Sequence, residues 1–296
     1  MCGIIGLFNV ENSQDLVKKG LNLMLDRGKD GSDFVEGKNG VLGHSLHSVV
    51  GKVKQPFVGV GKFVSNCEIY NWKNLCEKYK IEARNDSELI FKLIERKGVD
   101  NLKEILNELD GDFAFAYWIK DRIYLARDLI GVKPIWFSFS NNKLAFSSER
   151  KVLVSLGFLN IYELNPRHIL IYDVKSGKIN YDEIKFFNIK PELQEDYNIL
   201  KNKLKGLLIS SVAKRIPDSK FGILFSGGVD SSLIAFICKE LGIYFKCYVG
   251  TVSGFGDSED LRYARKAAKL LNVPLVEGVV PLKDVEKYLS KVLPLI

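Results

Sequence analysis

Hydrophobic and polar residues follow one pattern up to about residue 190 and a different one after it. In the first part, short apolar runs bounded by tight turns predict a strand-rich region. The predicted strands are 2–8, 57–65, 112–119, 122–126, 135–139 and 169–174. Apolar stripes predict helices at 15–26 and at about 87–96, with these stripes packed in a core.

In the second part, apolar strands alternate with helices. Helices are predicted at about 197–215, 231–241, 259–271 and 283–292, and strands at 221–225, 245–250 and 275–276. Such alternation indicates right-handed crossovers and a parallel sheet. We therefore expect two domains, residues 2–190 and 191–296.

Composition narrows the class of protein. The 296 residues are 46% hydrophobic and 27% charged, the balance of an ordinary globular chain. No apolar run approaches the ~18 residues of a membrane span, and the N-terminus lacks the basic region of a signal peptide. Five cysteines without a C-x-x-C pattern argue against a disulfide framework or a structural zinc site. We expect a cytoplasmic protein with no membrane partner.

The net charge of +7 raises the possibility of a nucleic-acid partner. The excess is spread over both parts of the chain, without a run of like charge. A surface that follows a phosphate backbone normally shows a basic stripe. We therefore expect no nucleic-acid partner.

A glycine turn between a strand and a helix is a candidate phosphate site. The apolar run 221–225 leads into Ser226-Gly227-Gly228-Val229-Asp230-Ser231-Ser232, and a helix follows. Free N–H groups and the helix dipole favour an anion at such a position. Gly227 and Gly228 let the backbone approach the anion closely.

The polar side chains of this turn add to the candidate site. Ser226, Ser231 and Ser232 supply hydroxyl donors, and Asp230 can hold a Mg²⁺ ion that binds phosphate. The alternative is a plain serine–glycine turn with Asp230 as the helix N-cap.

The turn resembles the S-G-G-x-D-S loop of the ATP pyrophosphatases, which cleave ATP between its α- and β-phosphates and adenylate an acid. The resemblance implies ATP and Mg²⁺ as cofactors. It also implies that Leu224, Phe225 and Val249 cradle the adenosine.

Cys2 is a candidate nucleophile because of its position in the chain. A small second residue permits removal of the initiator methionine, which leaves a cysteine with a free α-amine. The pKa of an α-amine is about 7.7–8.0, so the amine can accept the thiol proton near neutral pH. The alternative is a cysteine simply buried in the first strand.

Several further segments strengthen the assignment of Cys2: Arg27–Gly31, Gln55-Pro56, Asn66–Asn71, Gly111–Ala116, Arg127-Asp128 and Ser148-Glu149. Together they resemble the class II glutamine amidotransferase domain joined to a synthetase domain, as in the glutamine-hydrolysing asparagine synthetase family. The implied fold class is α/β. An α+β N-terminal-nucleophile αββα sandwich is followed by a parallel-sheet α/β domain with a pyrophosphatase loop, of which only the N-terminal portion is expected.

The resemblance also implies roles around Cys2. Asn66 would donate its side-chain amide to the tetrahedral oxyanion, and Cys67 would donate its backbone N–H. Arg127 and Asp128 are expected to be structural.

The same resemblance implies how glutamine is held. Glu68 and Asp86 would receive its α-ammonium, and Ser48 and Val49 lie in the segment that contacts its carboxylate. Asp86 can also be read as a helix N-cap, and both roles are compatible.

The sequence departs from the family pattern at several positions. Leu46 stands where the family has the arginine that binds the glutamine carboxylate, so weak binding is expected. His47 can substitute for that arginine, or it can be a plain strand histidine. Cys67 replaces a glycine and can crowd the site. Asp26 and Lys29 replace a histidine and a proline.

A second family motif, S-G-E-G-x-D-E, does not occur before Ile296. We therefore expect an incomplete synthetase domain, completed by a second chain or cut by a split or truncated gene. The resemblance implies glutamine- and ATP-dependent amide formation with aspartate as the acceptor. Two alternatives are an amidotransferase acting on another carboxylic acid and a non-catalytic regulatory paralogue.

Overall fold

The computed structural model describes residues 1–184, 194–217, 219–254 and 256–293. The chain divides into two compact units, Met1–Ile189 and Lys190–Ile296. No helix within the described residues has the length and hydrophobicity needed to span a bilayer.

The first unit contains most of the strands. They are β1 (Gly3–Phe8), β2 (Gly31–Gly37), β3 (Gly40–Leu46), β4 (Phe57–Val58), β5 (Lys62–Ile69), β6 (Gly111–Ile119), β7 (Arg122–Arg127), β8 (Trp136–Ser140), β9 (Lys143–Ser147), β10 (Ile161–Glu163), β11 (His168–Asp173) and β12 (Lys178–Glu183). Its helices are α1 (Ser13–Leu23), α2 (Trp72–Tyr79), α3 (Asp86–Lys97), α4 (Leu102–Glu108) and α5 (Arg150–Ser155), with a 3₁₀ turn at Val99–Asn101.

These elements form four layers. The strands make two antiparallel sheets, ordered β10-β8-β9-β1-β3-β2 and β12-β11-β7-β6-β5-β4. Apolar side chains from both sheets, such as Phe8 and Val64, share one buried core between them. A second core joins the first sheet to α1 and α5, and a third joins the second sheet to α2, α3 and α4. The predicted αββα sandwich is confirmed.

The second unit is a parallel α/β fold. Its elements are α6 (Tyr197–Ala213), β13 (Gly222–Leu224), α7 (Val229–Glu240), β14 (Lys246–Ser253), α8 (Glu259–Leu271), β15 (Leu275–Pro281), a 3₁₀ turn at Leu282–Asp284, and α9 (Val285–Val292). The three strands are parallel in the order β13-β14-β15. Their core packs against α7 and α8, and the predicted parallel sheet is confirmed.

The hairpin of β2 and β3 was not among the predicted strands, although it carries part of the site. β3 is buried along its whole length, so it shows no alternation of polar and apolar residues. Its sequence, GVLGHSL, holds two glycines, which weaken the intrinsic preference for a strand. Pairing with β1 on one side and β2 on the other fixes it instead.

Candidate functional site

A pocket of about 140 Å³ opens in the first unit where β1, β3, β5 and the N-terminus of α3 meet. It is lined by Met1, Cys2, Leu46, His47, Val49, Val50, Gly51, Gln55, Asn66, Cys67, Glu68, Asn85, Asp86 and Ser87.

Most of the predicted glutaminase residues line this pocket: Cys2, Val49, Asn66, Cys67, Glu68 and Asp86. Ser48 lies between two lining residues, His47 and Val49. Gln55 and Ser87 were not among the predicted site residues. Gln55 carried a usable signal, because Gln55-Pro56 precedes a predicted strand. Ser87 carried none, since only the folded chain brings α3 against β5.

The thiol of Cys2 is held at the start of β1. Its Sγ accepts a hydrogen bond from the His47 N–H at 3.4 Å, and its carbonyl oxygen accepts one from Arg27 Nε at 2.7 Å. Burial raises the pKa of the Cys2 thiol, and the His47 N–H opposes this shift. A thiol with a raised pKa needs a base to become a nucleophile.

Gly28 lets the Arg27 segment reach Cys2. A Cβ on Gly28 would lie 2.5 Å from Ser45 Oγ and 2.6 Å from the Ser45 carbonyl carbon. Only a glycine therefore allows this segment to lie against β3.

Met1 occupies the mouth of the pocket. Its ammonium donates to the Arg27 carbonyl oxygen at 3.2 Å, and its Sδ accepts from Lys133 Nζ at 3.8 Å. While Met1 is attached, the nitrogen of Cys2 belongs to a peptide bond and cannot accept a proton. A base at this nitrogen therefore requires removal of Met1.

Asn66 supplies an unused donor in the pocket. The residue is 2% exposed, and its Nδ2 has no hydrogen-bond partner among the described residues. A buried amide without a partner costs free energy, about 1–3 kcal/mol. A substrate oxygen would recover this cost.

The side chain of Cys67 packs towards α3. Its Sγ lies 3.0 Å from Ser87 Oγ and 3.7 Å from Ser65 Oγ. Burial raises the pKa of the Cys67 thiol well above its usual value, so it stays protonated beside Cys2.

Two carboxylates give the pocket its acidic side. Asp86 accepts hydrogen bonds from the N–H groups of Ile69 at 3.0 Å and Ser87 at 2.8 Å. Burial raises the pKa of Asp86, and burial together with Asp86 raises the pKa of Glu68. Such a pair favours a bound cation.

The N-cap interpretation of Asp86 is wrong. The cap of α3 is Asn85, whose side chain accepts a hydrogen bond from the Glu88 N–H at 2.9 Å. Asp86 is the first helical residue, and its carboxylate bonds to β5 through the Ile69 N–H.

The pocket has an apolar residue, Leu46, at the position of the family arginine. Leu46 is 7% exposed and also lines a neighbouring pocket that contains Lys52 and Lys54. Neither pocket is lined by an arginine in the part of the chain that the structure describes. The Ser48 N–H donates to Asp30 Oδ2 at 2.6 Å, and Ser48 Oγ has no partner there.

Arg127 and Asp128 are structural, as predicted. Arg127 is buried and donates to Glu163 Oε1 at 2.7 Å. Asp128 accepts from the N–H groups of Val132 at 2.8 Å and Lys133 at 3.0 Å, which closes the loop after β7.

The glycine turn of the second unit leads into α7 without a side-chain cap. Ser226 Oγ accepts from the Gly228 N–H at 3.3 Å and lies 3.4 Å from Ser231 Oγ. Ser232 Oγ is buried and has no partner among the described residues. Backbone N–H groups and hydroxyls therefore meet at one helix N-terminus, which fits a phosphate.

The two glycines of the turn have different roles. Gly227 has φ +75°, and a Cβ there would lie 2.3–2.5 Å from backbone atoms of Tyr263 and Ala264, so it seats the turn against α8. Gly228 has φ −70°, and its Cβ would meet only Ser226 Oγ, at 3.3 Å. The backbone of Gly228 therefore remains accessible to a ligand.

The residues predicted to contact adenosine differ in their exposure. Leu224 is 87% exposed, whereas Phe225 and Val249 are buried in the core of the unit. Phe225 and Val249 can therefore offer a nucleotide only backbone atoms. Asp230 is exposed in the first turn of α7, and the described residues hold no cluster of three or more His, Cys, Asp or Glu that could bind a metal ion.

Comparison with known families finds two matches. Residues 1–184 match the family model described as glutamine amidotransferase domain. Residues 203–296 match the one described as asparagine synthase.

Individual relatives agree with these matches. The putative asparagine synthetase [glutamine-hydrolyzing] 1 of Methanocaldococcus jannaschii is 33% identical, over 99% of this chain and 61% of its own length. Asparagine synthetase B [glutamine-hydrolyzing] of Escherichia coli is 31% identical, over 81% of this chain and 45% of its own length. The chain therefore spans about half the length of these relatives.

Among solved structures, the glutamine phosphoribosylpyrophosphate amidotransferase from B. subtilis has a TM-score of 0.57 at 17% identity. The match covers 94% of this chain and 66% of that one. At this identity the likeness concerns the fold.

Proposed function

The chain belongs to the glutamine amidotransferase family over residues 1–184 and to the asparagine synthase family over residues 203–296, and from this premise we propose that it takes part in glutamine- and ATP-dependent amide formation. In this proposal the first unit hydrolyses glutamine at Cys2, and the second binds ATP. The observation that carries it is the unpartnered Asn66 amide in the same pocket as Cys2.

Glutamine hydrolysis proceeds through a thioester. After Met1 is removed, the free α-amine of Cys2 takes the thiol proton, and the sulfur attacks the side-chain carbonyl carbon of glutamine. The amide of Asn66 and the N–H of Cys67 stabilise the oxyanion. The C–N bond breaks as the amine returns the proton to the leaving ammonia. Water then hydrolyses the thioester to glutamate and restores the thiol.

The acidic side of the pocket selects an amino acid as substrate. Glu68 and Asp86 face the pocket with no lysine or arginine among its lining residues. Their carboxylates would bind the glutamine α-ammonium, with Ser48 and Val49 nearest the substrate carboxylate. His47, exposed at the rim, is the candidate to bind that carboxylate in place of the family arginine.

The second unit would hold the triphosphate of ATP at the glycine turn. The phosphate oxygens would accept hydrogen bonds from hydroxyl or N–H groups at the start of α7, which belong to Ser226, Gly227, Gly228 and Ser231. A Mg²⁺ ion supplies charge neutralisation when bound. Asp230 would hold it together with the phosphates, in keeping with the one or two carboxylates that Mg²⁺ usually takes.

The acceptor in this proposal is aspartate, activated as an acyl-adenylate that ammonia attacks. Another carboxylic acid would use the same chemistry. The second unit leaves apolar side chains exposed on its helices, including Leu207 on α6, Phe236 on α7 and Leu289 on α9. These faces support a further polypeptide, such as a second chain, that completes the unit. The five free cysteines support a reducing compartment such as the cytoplasm.

The proposal is tested by ammonia release from glutamine, using folded protein whose N-terminus is Cys2. We expect release from glutamine but not from asparagine. Absence of release from protein that binds glutamine would favour the alternative, a non-catalytic paralogue, for which Leu46 is the supporting observation.

Replacing Leu46 with arginine should tighten glutamine binding. A charged hydrogen bond contributes about 1.5–3 kcal/mol, so the dissociation constant should fall roughly 10–150-fold. Calorimetric titration of a Cys2→Ala background avoids turnover. Leu46→Met is the matched control and should leave the affinity unchanged. An equal affinity for the arginine variant would show that the carboxylate is bound elsewhere, for example by His47.

Replacing Gly228 with valine should weaken ATP binding by at least about tenfold, or 1.4 kcal/mol. The backbone at Gly228 accepts any residue, so the fold should survive while the new methyl groups block the phosphates. Gly206→Ala, on α6 with open space around it, is the control. Titration with Mg·ATP measures the change, and unchanged binding in the valine variant would refute the loop assignment.

A further inference from the structure

Lys133 is a buried lysine that points at the N-terminus. The residue is 7% exposed, and its Nζ lies 3.8 Å from Met1 Sδ, its hydrogen-bond partner among the described residues. A thioether is a weak acceptor, whereas buried charges are normally paired. The partner that Lys133 has in this structure is therefore poor, and it leaves the protein when Met1 is removed.

The backbone of Lys133 is held in the loop after β7. The carboxylate of Asp128 accepts hydrogen bonds from the backbone N–H groups of Val132 and Lys133. These bonds hold the backbone of Lys133 independently of its side chain. The side chain can therefore be changed without removing the bonds that close the loop.

Charged groups surround the N-terminal amine and Glu68. The amine interacts with Arg27, Lys133, Glu68 and the Cys2 thiol, and Glu68 interacts in addition with Asp86 and Asp112. A neighbouring positive charge favours the neutral form of an amine and the ionised form of a carboxylate. Burial is the main cause of the lowered pKa of the Met1 amine, and Lys133 lowers it further. Burial raises the pKa of Glu68, and Lys133 opposes that rise.

We propose that Lys133 is a positioning residue, and this proposal rests on Cys2 being the nucleophile. Once Met1 is gone, the ammonium of Lys133 lies near the Cys2 amine and Glu68. It keeps the amine neutral, so that the amine can accept the thiol proton, and keeps Glu68 ionised, so that it can hold the glutamine ammonium.

The test compares Lys133→Met, Lys133→Arg and, as a control, Lys175→Met, in protein that begins at Cys2. Lys175 is exposed and pairs with Asp121, so its loss should change nothing at the amine. Loss of the Lys133 charge favours the protonated amine and the protonated carboxyl. The acid limb of kcat/KM for glutamine should therefore move to higher pH by about one unit, a tenfold loss below the limb. Lys133→Arg should retain the original limb.

A second measurement follows the protonation of the N-terminal amine and does not require turnover. The pH midpoint for acylation of the N-terminal amine, followed by mass spectrometry, should rise by about the same amount in Lys133→Met. If Lys133→Met does not fold, as judged by thermal unfolding, Lys133→Gln takes its place with the same expectation.

The outcomes separate the inference from the proposed function. If Lys133→Met left both the acid limb and the acylation midpoint unchanged, the role of Lys133 would be overturned. A rise in KM with the limb and the midpoint unchanged would also overturn it, because Lys133 would then be a substrate contact. A shifted midpoint in protein that does not hydrolyse glutamine would support Lys133 and refute the proposed function.

Discussion

Replacing Cys2 with alanine is expected to reduce ammonia release from glutamine by at least about 10³-fold, the largest effect of any single change. The variant lacks the sulfur that attacks the substrate in the proposed mechanism, while the rest of the pocket is unaltered. Glutamine affinity should stay within a few-fold, because Glu68 and Asp86, the residues proposed to bind the ammonium, are unchanged. Ammonia release and calorimetry together measure the two quantities.

The control for this variant is Cys76→Ala. Cys76 is also a free, partly buried cysteine, but it lies on α2 and does not line the pocket. It should keep full activity. Protein that retains Met1 should be as inactive as Cys2→Ala. If either protein released ammonia as fast as wild-type protein that begins at Cys2, Cys2 would be excluded as a nucleophile with its own base.

Replacing Asn66 with alanine should lower kcat by about 10²–10³-fold with little change in KM. The Asn66 amide has no partner in the described structure, and in the proposed mechanism its hydrogen bond goes to the developing oxyanion. Removing it should also leave stability unchanged or slightly raised, because a buried unpaired amide is lost.

Asn71→Ala is the matched comparison. Asn71 donates to the Glu108 carbonyl oxygen at 2.8 Å and lies outside the pocket. Its loss should lower thermal stability and leave kcat intact. The opposite result, in which Asn66→Ala keeps its kcat, would remove Asn66 from the oxyanion site.

Elements marked by an apolar run or by an apolar helical stripe were predicted from the sequence to within a few residues. The predicted helix 87–96 is observed as Asp86–Lys97, and the predicted strand 2–8 as Gly3–Phe8. The glycine turn was found because a strand, two glycines and a helix follow one another along the chain. Local sequence is enough for such features, since their determinants are adjacent residues.

Several of the missed features depend on contacts with segments that lie far away in the sequence. β3 carries Leu46, and its neighbours β1 and β2 hold it, not its own pattern. The contact of Cys67 with Ser87 and the reach of Lys133 to the N-terminus each join residues far apart in sequence. A resemblance can identify the residue types at such positions, but only the folded chain shows what they touch.

The seat of Met1 has a consequence for how the protein matures in the cell. In the folded chain the terminal ammonium donates to the Arg27 carbonyl oxygen, so an aminopeptidase would have to break this hydrogen bond to reach the amine. Excision is therefore expected to occur on the nascent chain, before β1 joins its sheet. Under fast overexpression, part of the protein would fold before Met1 is removed and would remain inactive. Specific activity should then follow the proportion of trimmed N-termini from batch to batch, at a constant yield of folded protein.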